Sequence, residues 1–167
     1  MKFLFFVLIL GMNLGFASEF KLQNGQAEYT VKHLLKTVKG QSKELKGKMI
    51  CDKGLCQFLI AIPVKSFISS DSNRDLNMQT ILEASKYPLV TVKGELKEGD
   101  YKKDQYSLKA LVNFHGIEKN YTINIQRKDV SFGNFTILLE DHKIERPSLL
   151  TVEIDNNVPI DFSFNWK

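Results

Sequence analysis

Over most of the chain, apolar and polar side chains alternate at every second position, the period of a strand with one face in a core and one in water. Residues 105–114 put Tyr106, Leu108, Ala110, Val112 and Phe114 on one face, against Gln105, Ser107, Lys109, Leu111 and Asn113 on the other. Beyond the His115-Gly116 turn signal, Tyr121, Ile123 and Ile125 oppose Asn120, Thr122, Asn124 and Gln126, so the two runs predict an antiparallel hairpin. The final segment repeats the pattern, with Val158, Ile160, Phe162, Phe164 and Trp166 on one side. Further strands are expected over 28–38, 46–51, 56–64, 89–96 and 130–140, the last bent at Gly133. Short strands separated by turns such as Asp52-Lys53-Gly54 and Glu98-Gly99-Asp100 predict an all-β antiparallel sandwich or up-and-down barrel.

One segment breaks the period. Over 72–86, Met78, Ile81, Leu82 and Ser85 share a helical stripe, Asp71 or Ser72 can cap its start, and Tyr87-Pro88 ends it. This helix is expected to close one end of a barrel or to flank a sheet edge.

The amino terminus reads as a processing signal rather than as part of the fold. Lys2 precedes an apolar run from Phe3 to Leu10, and Gly15-Phe16-Ala17 supplies the small residues of a cleavage site, so 1–17 is expected to be a signal peptide cut after Ala17. The run is shorter than the roughly 20 residues of a membrane span. With no cysteine beside the cut, the mature domain, 18–167, is expected to be free and exported.

Composition narrows the function classes. At 167 residues and 43% hydrophobic, the chain suits one globular domain and leaves no room for a separate cofactor domain. The 23 basic and 19 acidic residues give +4; residues 1–17 hold only Lys2 among charges, so 22 against 19 leave +3. Lysines interleave with acids, as in Lys43-Glu44 and Lys97-Glu98, which is a solvated surface and not a nucleic-acid footprint.

Cys51 and Cys56 bracket a turn between two strand-like runs, so they can face each other across a hairpin and pair in an oxidising compartment. A metal site would need more ligands at recognisable spacing, and His33, His115 and His142 lie far apart with no second cysteine pair. A redox pair of thioredoxin type would want a two-residue spacer at a helix start, whereas four residues intervene here. No nucleophile elbow, zinc-protease helix, phosphate loop or dinucleotide fingerprint is present, so no enzyme activity and no cofactor are expected.

The run Phe67-Ile68-Ser69-Ser70-Asp71-Ser72-Asn73-Arg74-Asp75, followed by Met78, by Ile81-Leu82-Glu83-Ala84-Ser85-Lys86-Tyr87-Pro88 and by Leu89-Val90-Thr91-Val92, resembles the YceI-like family of exported polyisoprenoid-binding proteins. Tyr29-Thr30-Val31-Lys32-His33 with Val38-Lys39-Gly40 resembles that family's opening strands. Leu111-Val112-Asn113-Phe114-His115-Gly116 resembles its strand and His-Gly turn, and the match spans about 28–167. The Cys51/Cys56 pair departs from the family pattern, and Ser42 stands where an aromatic often follows Val-Lys-Gly. The resemblance implies a lipocalin-like barrel in the bacterial periplasm that holds a long isoprenoid or similar lipid. It also makes a homodimer and a transient membrane or protein partner plausible.

On that reading the lipid touches Phe58, Ile60 and Ile62 of one strand, Val90 and Val92 of the next, and Met78 and Leu82 of the helix. Leu108, Val112, Phe114, Tyr121 and Ile123 of the central hairpin and Phe162, Phe164 and Trp166 of the last strand complete the expected lining. His33, Arg74 and Asp75 are polar candidates, either for a headgroup or for structure, and His115 reads as a turn residue. The same inward rows suit a solid core as well as a hollow one. A lipid carrier and a solid barrel that binds a protein partner through its loops during envelope stress are therefore the two functional expectations.

Overall fold

Residues 17–33, 36–149 and 151–167 are described by a computed structural model. The expected leader, 1–17, lies outside them except for Ala17. Eleven strands are present among these residues: β1 (Ser18–His33), β2 (Lys36–Ser42), β3 (Lys46–Asp52), β4 (Leu55–Pro63), β5 (Leu89–Lys97), β6 (Gln105–Phe114), β7 (Ile117–Arg127), β8 (Ser131–Leu138), β9 (Ser148–Leu149), β10 (Val152–Glu153) and β11 (Asn157–Trp166). Helix α1 (Ser72–Ile81) joins β4 to β5, and the single turn α2 (Glu98–Tyr101) joins β5 to β6.

Neighbouring strands pair antiparallel in the order β11-β8-β7-β6-β5-β4-β3-β1-β2, and β11 also pairs with β1, so the sheet closes on itself. β3 and β2 follow each other along one edge of β1, on its residues 18–21 and 27–33 respectively, and together occupy a single wall position. The result is a closed eight-strand antiparallel barrel with up-and-down connections, which leaves no long sheet edge free. No helix among the described residues is long and apolar enough to cross a membrane.

Local chemistry explains the connections. Lys53-Gly54 and His115-Gly116 both have positive φ at their two residues, the geometry that matches the twist of flanking strands in two-residue hairpins. At the start of α1, Asp71 caps the helix by accepting from the backbone N–H groups of Asn73 and Arg74.

The expected helix over 72–86 ends earlier, at Ile81. Glu83 enters the left-handed region, its N–H bonds the Thr80 carbonyl, and the Ala84 N–H reaches back to Gln79, which is a Schellman closure. Two other expectations are corrected. The strand read over 28–38 is two strands, the end of β1 and the start of β2, paired as a hairpin. Gly133 does not bend β8, which pairs without a register break to both neighbours. The irregularity lies in β1 between Gln23 and Gln26, where Asn24 has positive φ. It shifts the parity of inward residues from Phe20 and Leu22 to Ala27, Tyr29 and Val31, and so hides the strand from a search for strict alternation.

Cys51 and Cys56 are direct partners across the β3–β4 hairpin and form a disulfide with Cα atoms 4.0 Å apart. Both are buried, packed with Met49 and Leu96 at the barrel end remote from α1. Closing so short a loop is worth about 2 kcal/mol in the chain-entropy model. Replacing both cysteines with alanine is therefore expected to lower the unfolding free energy by about that amount in urea titration. Reductant should produce a similar drop in the unsubstituted protein and none in the double variant.

Candidate functional site

Closing the sheet turns the alternating apolar faces inward, and they do not meet across the middle. A cavity of about 650 Å³ remains, with an almost wholly apolar wall. Tyr106 at the start of β6 and Phe114 at its end both line it. Eight residues of strand span about 27 Å, so at the usual strand tilt the cavity is on the order of 20 Å long, close to the length of the barrel.

Its hollowness has a local cause. Gly94 lies directly across from Phe58, and Gly133 directly across from Phe162. A Cβ on Gly94 would meet the Phe58 ring at 2.9 Å, and one on Gly133 would collide with the ring of Phe162. Each ring therefore lies flat on a neighbouring backbone instead of reaching over the lumen. Phe162 in turn stacks on Phe164, whose other side meets the edge of Trp166.

Of the apolar residues expected to face a ligand, Phe58, Ile60 and Ile62 of β4 and Val90 and Val92 of β5 line the cavity. So do Leu108, Phe114 and Ile123, then Phe162, Phe164 and Trp166 of β11, and Met78 and Leu82 of the α1 segment. Two do not. Val112 is wholly buried among the packed wall residues, and Tyr121 turns aside to stack on the His142 ring. Reading the sequence misses the contribution of β1, where the bulge conceals Ala27, Tyr29 and Val31, and that of the 139–154 segment, where Ile144, Pro147 and Ile154 have no periodic signal.

The polar candidates each make contacts within the fold. Asp75 is buried and both of its carboxylate oxygens accept from the Ser69 N–H at 3.0 Å, which fixes the approach to α1. Arg74 lines the cavity, but its guanidinium pairs with Asp71 at 3.3 Å. His33 is not among the lining residues; its Nε2 donates to the Val152 carbonyl at 3.0 Å and ties β1 to β10.

His142, in a 3-10 turn over Glu140–His142, is the polar residue the sequence does not single out. It is fully buried, its Nδ1 donates to the Phe114 carbonyl at 2.9 Å, and its Nε2 accepts from the Tyr121 hydroxyl at 2.8 Å. His115 extends the network, with one ring nitrogen on the His142 carbonyl and the other on Glu83, each at 3.0 Å. The segment after α1, the β6–β7 turn and the 140–142 turn are thereby tied together over one end of the cavity. Among the described residues no three His, Cys, Asp or Glu side chains gather as a metal site.

A closed antiparallel barrel around one long apolar lumen, capped at one end by a helix, defines the class. The chain belongs to the YceI-like domain family, whose model matches residues 19–166. No curated protein matches it closely enough to count as a relative. Among solved structures it is similar to a polyisoprenoid binding domain from Saccharophagus degradans implicated in plant cell wall breakdown, with TM-score 0.72 and 16% identity over 89% of this chain and 97% of that one. Burkholderia cenocepacia BcnA gives 0.69 and 16% over 84% and 94%. The Campylobacter jejuni YCEI protein gives 0.61 and 17% over 100% and 99%.

Two predictions follow from this geometry. Gly133→Ala should force the Phe162 ring off the backbone, lowering stability by about 1–3 kcal/mol and shrinking the lumen, as read by urea unfolding and a crystal structure of the variant. The second concerns acid. Burial lowers the His142 imidazole below its ordinary value of 6.5, outweighing its hydrogen bonds to the Phe114 and Ile117 backbone, which pull the other way. The folded protein thus holds this proton less tightly than the unfolded chain does, and the stability that results is complete above about pH 6.5 and is lost as pH falls. The urea midpoint should drop between about pH 7 and about pH 5, and drop less in His142→Gln.

Proposed function

We propose that this protein is a carrier that shelters a long-chain lipid, a polyisoprenoid or similar amphiphile, in its barrel lumen. The observation behind this reading is the 650 Å³ apolar cavity that runs nearly the length of the barrel. At about 30 Å³ per methylene-sized group, it holds roughly 20 carbon atoms. Burying even ten methylenes releases about 8 kcal/mol gross, enough for micromolar binding without any charged contact. Similarity to a solved domain named for polyisoprenoid binding supports the isoprenoid class.

The reading is of a binding protein and not an enzyme, since among the described residues the lumen is lined by no His, Cys, Ser, Asp, Glu or Lys side chain. The leader-like amino terminus and the paired cysteines support a periplasmic setting, where a lipid must cross water between membranes. Delivery would then involve a transient membrane or protein partner, and the domain could work as a homodimer. The contrasting expectation, a solid barrel that binds partners through its loops, needs a packed centre, and the cavity counts against it.

Organic extraction of the purified protein followed by mass spectrometry tests the proposal. A long-chain amphiphile near one per protein is the expected result, and a protein that neither yields one nor takes one up from added prenol overturns it. Leu108→Trp, which places a large ring inside the lumen, should reduce prenol uptake by about tenfold or more while leaving the circular dichroism of the barrel intact.

A further inference from the structure

The two ends of the cavity differ in what they offer a polar group. At the α1 end the cation is already neutralised: Arg74 pairs with Asp71, Asp75 takes the Ser69 N–H, and the Thr80 hydroxyl donates to the Leu76 carbonyl, so the unbonded Tyr29 hydroxyl sits beside an ion pair. At the disulfide end two donors are unbonded and, among the described residues, the nearby cation has no carboxylate partner. Tyr106 and Trp166 both line the cavity and both pack on the cluster of Met49, Cys51, Cys56 and Leu96. Among the described residues, neither the Tyr106 hydroxyl nor the Trp166 indole N–H has a hydrogen-bond partner.

A cation stands near Tyr106, outside the lining. Arg127 continues the inward register of β7 two residues past Ile125. Its guanidinium donates to the Tyr101 carbonyl at 3.0 Å and lies 5.5 Å from the centre of the Tyr101 ring, and no carboxylate among the described residues pairs with it. An indole N–H and a phenol beside an unpaired cation favour an oxygen that accepts hydrogen bonds. Burial, with a smaller push from Tyr101, raises the Tyr106 phenol to about 12 against the opposing pull of Arg127, so it stays a donor at neutral pH.

Building on the carrier reading, we propose that the disulfide end of the lumen, at Tyr106 and Trp166, binds the oxygen-bearing group of the amphiphile, a hydroxyl, carbonyl or carboxylate, with its hydrocarbon running toward α1. The cavity then selects for an oxygen at one end of the chain as well as for length. This places the polar end opposite the Arg74-Asp75 pair that the sequence suggests for it.

The test compares uptake of geranylgeraniol with uptake of the hydrocarbon that lacks its hydroxyl, in the full-length protein and in variants. Tyr106→Phe removes one oxygen and keeps the ring. It should cut the alcohol-over-hydrocarbon preference by about tenfold while hydrocarbon uptake holds, whereas Tyr29→Phe and Arg74→Gln leave the preference unchanged. If both probes bind and Tyr106→Phe leaves the preference intact, or Tyr29→Phe or Arg74→Gln abolishes it, the assignment is overturned and the carrier reading stands. If neither probe binds, the carrier reading falls and takes this inference with it.

Discussion

Everything in this molecule depends on keeping an apolar space open against the tendency of side chains to fill it. An eight-strand barrel is close to the size at which inward residues can pack solid or leave room for one ligand, so the balance is set by how far each side chain reaches. Here glycines opposite Phe58 and Phe162 let large rings lie along the wall, and small Ala27 and Ala110 add little inward bulk. The wall gains its packing from contacts along its inner surface instead of across the lumen. Such an interior is stable because the sheet is closed: every barrel strand but β2, whose outer edge meets only the Gln41–Ile68 bridge, finds hydrogen-bonding strands on both sides, and the backbone does not need a filled core to be satisfied.

The ends are held by different means. At the disulfide end, covalent pairing, Met49, Leu96 and a group of aromatic rings form a tight cluster. At the other end, α1 and the 139–154 segment lie over the opening. Their backbones are tied down by buried polar contacts, Asp75 to Ser69 and His142 to Phe114 and Tyr121. Hydrogen-bonded loops open more readily than a ladder of strands, so on the proposed carrier reading this is the end where a ligand would pass. That asymmetry fits a polar group retained beside Tyr106 while the chain threads past α1.

Much of the wall is legible in the sequence. The β6–β7 hairpin, β5 and β11 follow from alternation alone, and the two glycine turns fix the registers of the β3–β4 and β6–β7 hairpins. The barrel's closure and capping were less so. A single left-handed residue, Asn24, moves β1 out of phase, and a Schellman closure ends α1 at Ile81, short of the expected residue 86. Residues such as Ile144 and Ile154 reach the cavity from loops, where no period marks them. For the polar candidates the sequence leaves a headgroup and a structural role open for a related reason: the contacts of Asp75 with Ser69 and of Arg74 with Asp71 depend on how the loop before α1 folds back.

The sequence by itself determined antiparallel strands with one apolar face each, their hairpin turns and the placing of two cysteines across one of those turns, because each of these rests on neighbours within a few residues. Only the tertiary structure decided that the centre is hollow and which end keeps a cation without a carboxylate beside its donors. Those properties arise from side chains on strands far apart in the chain, whose reach across the barrel depends on the register at which the sheet closes.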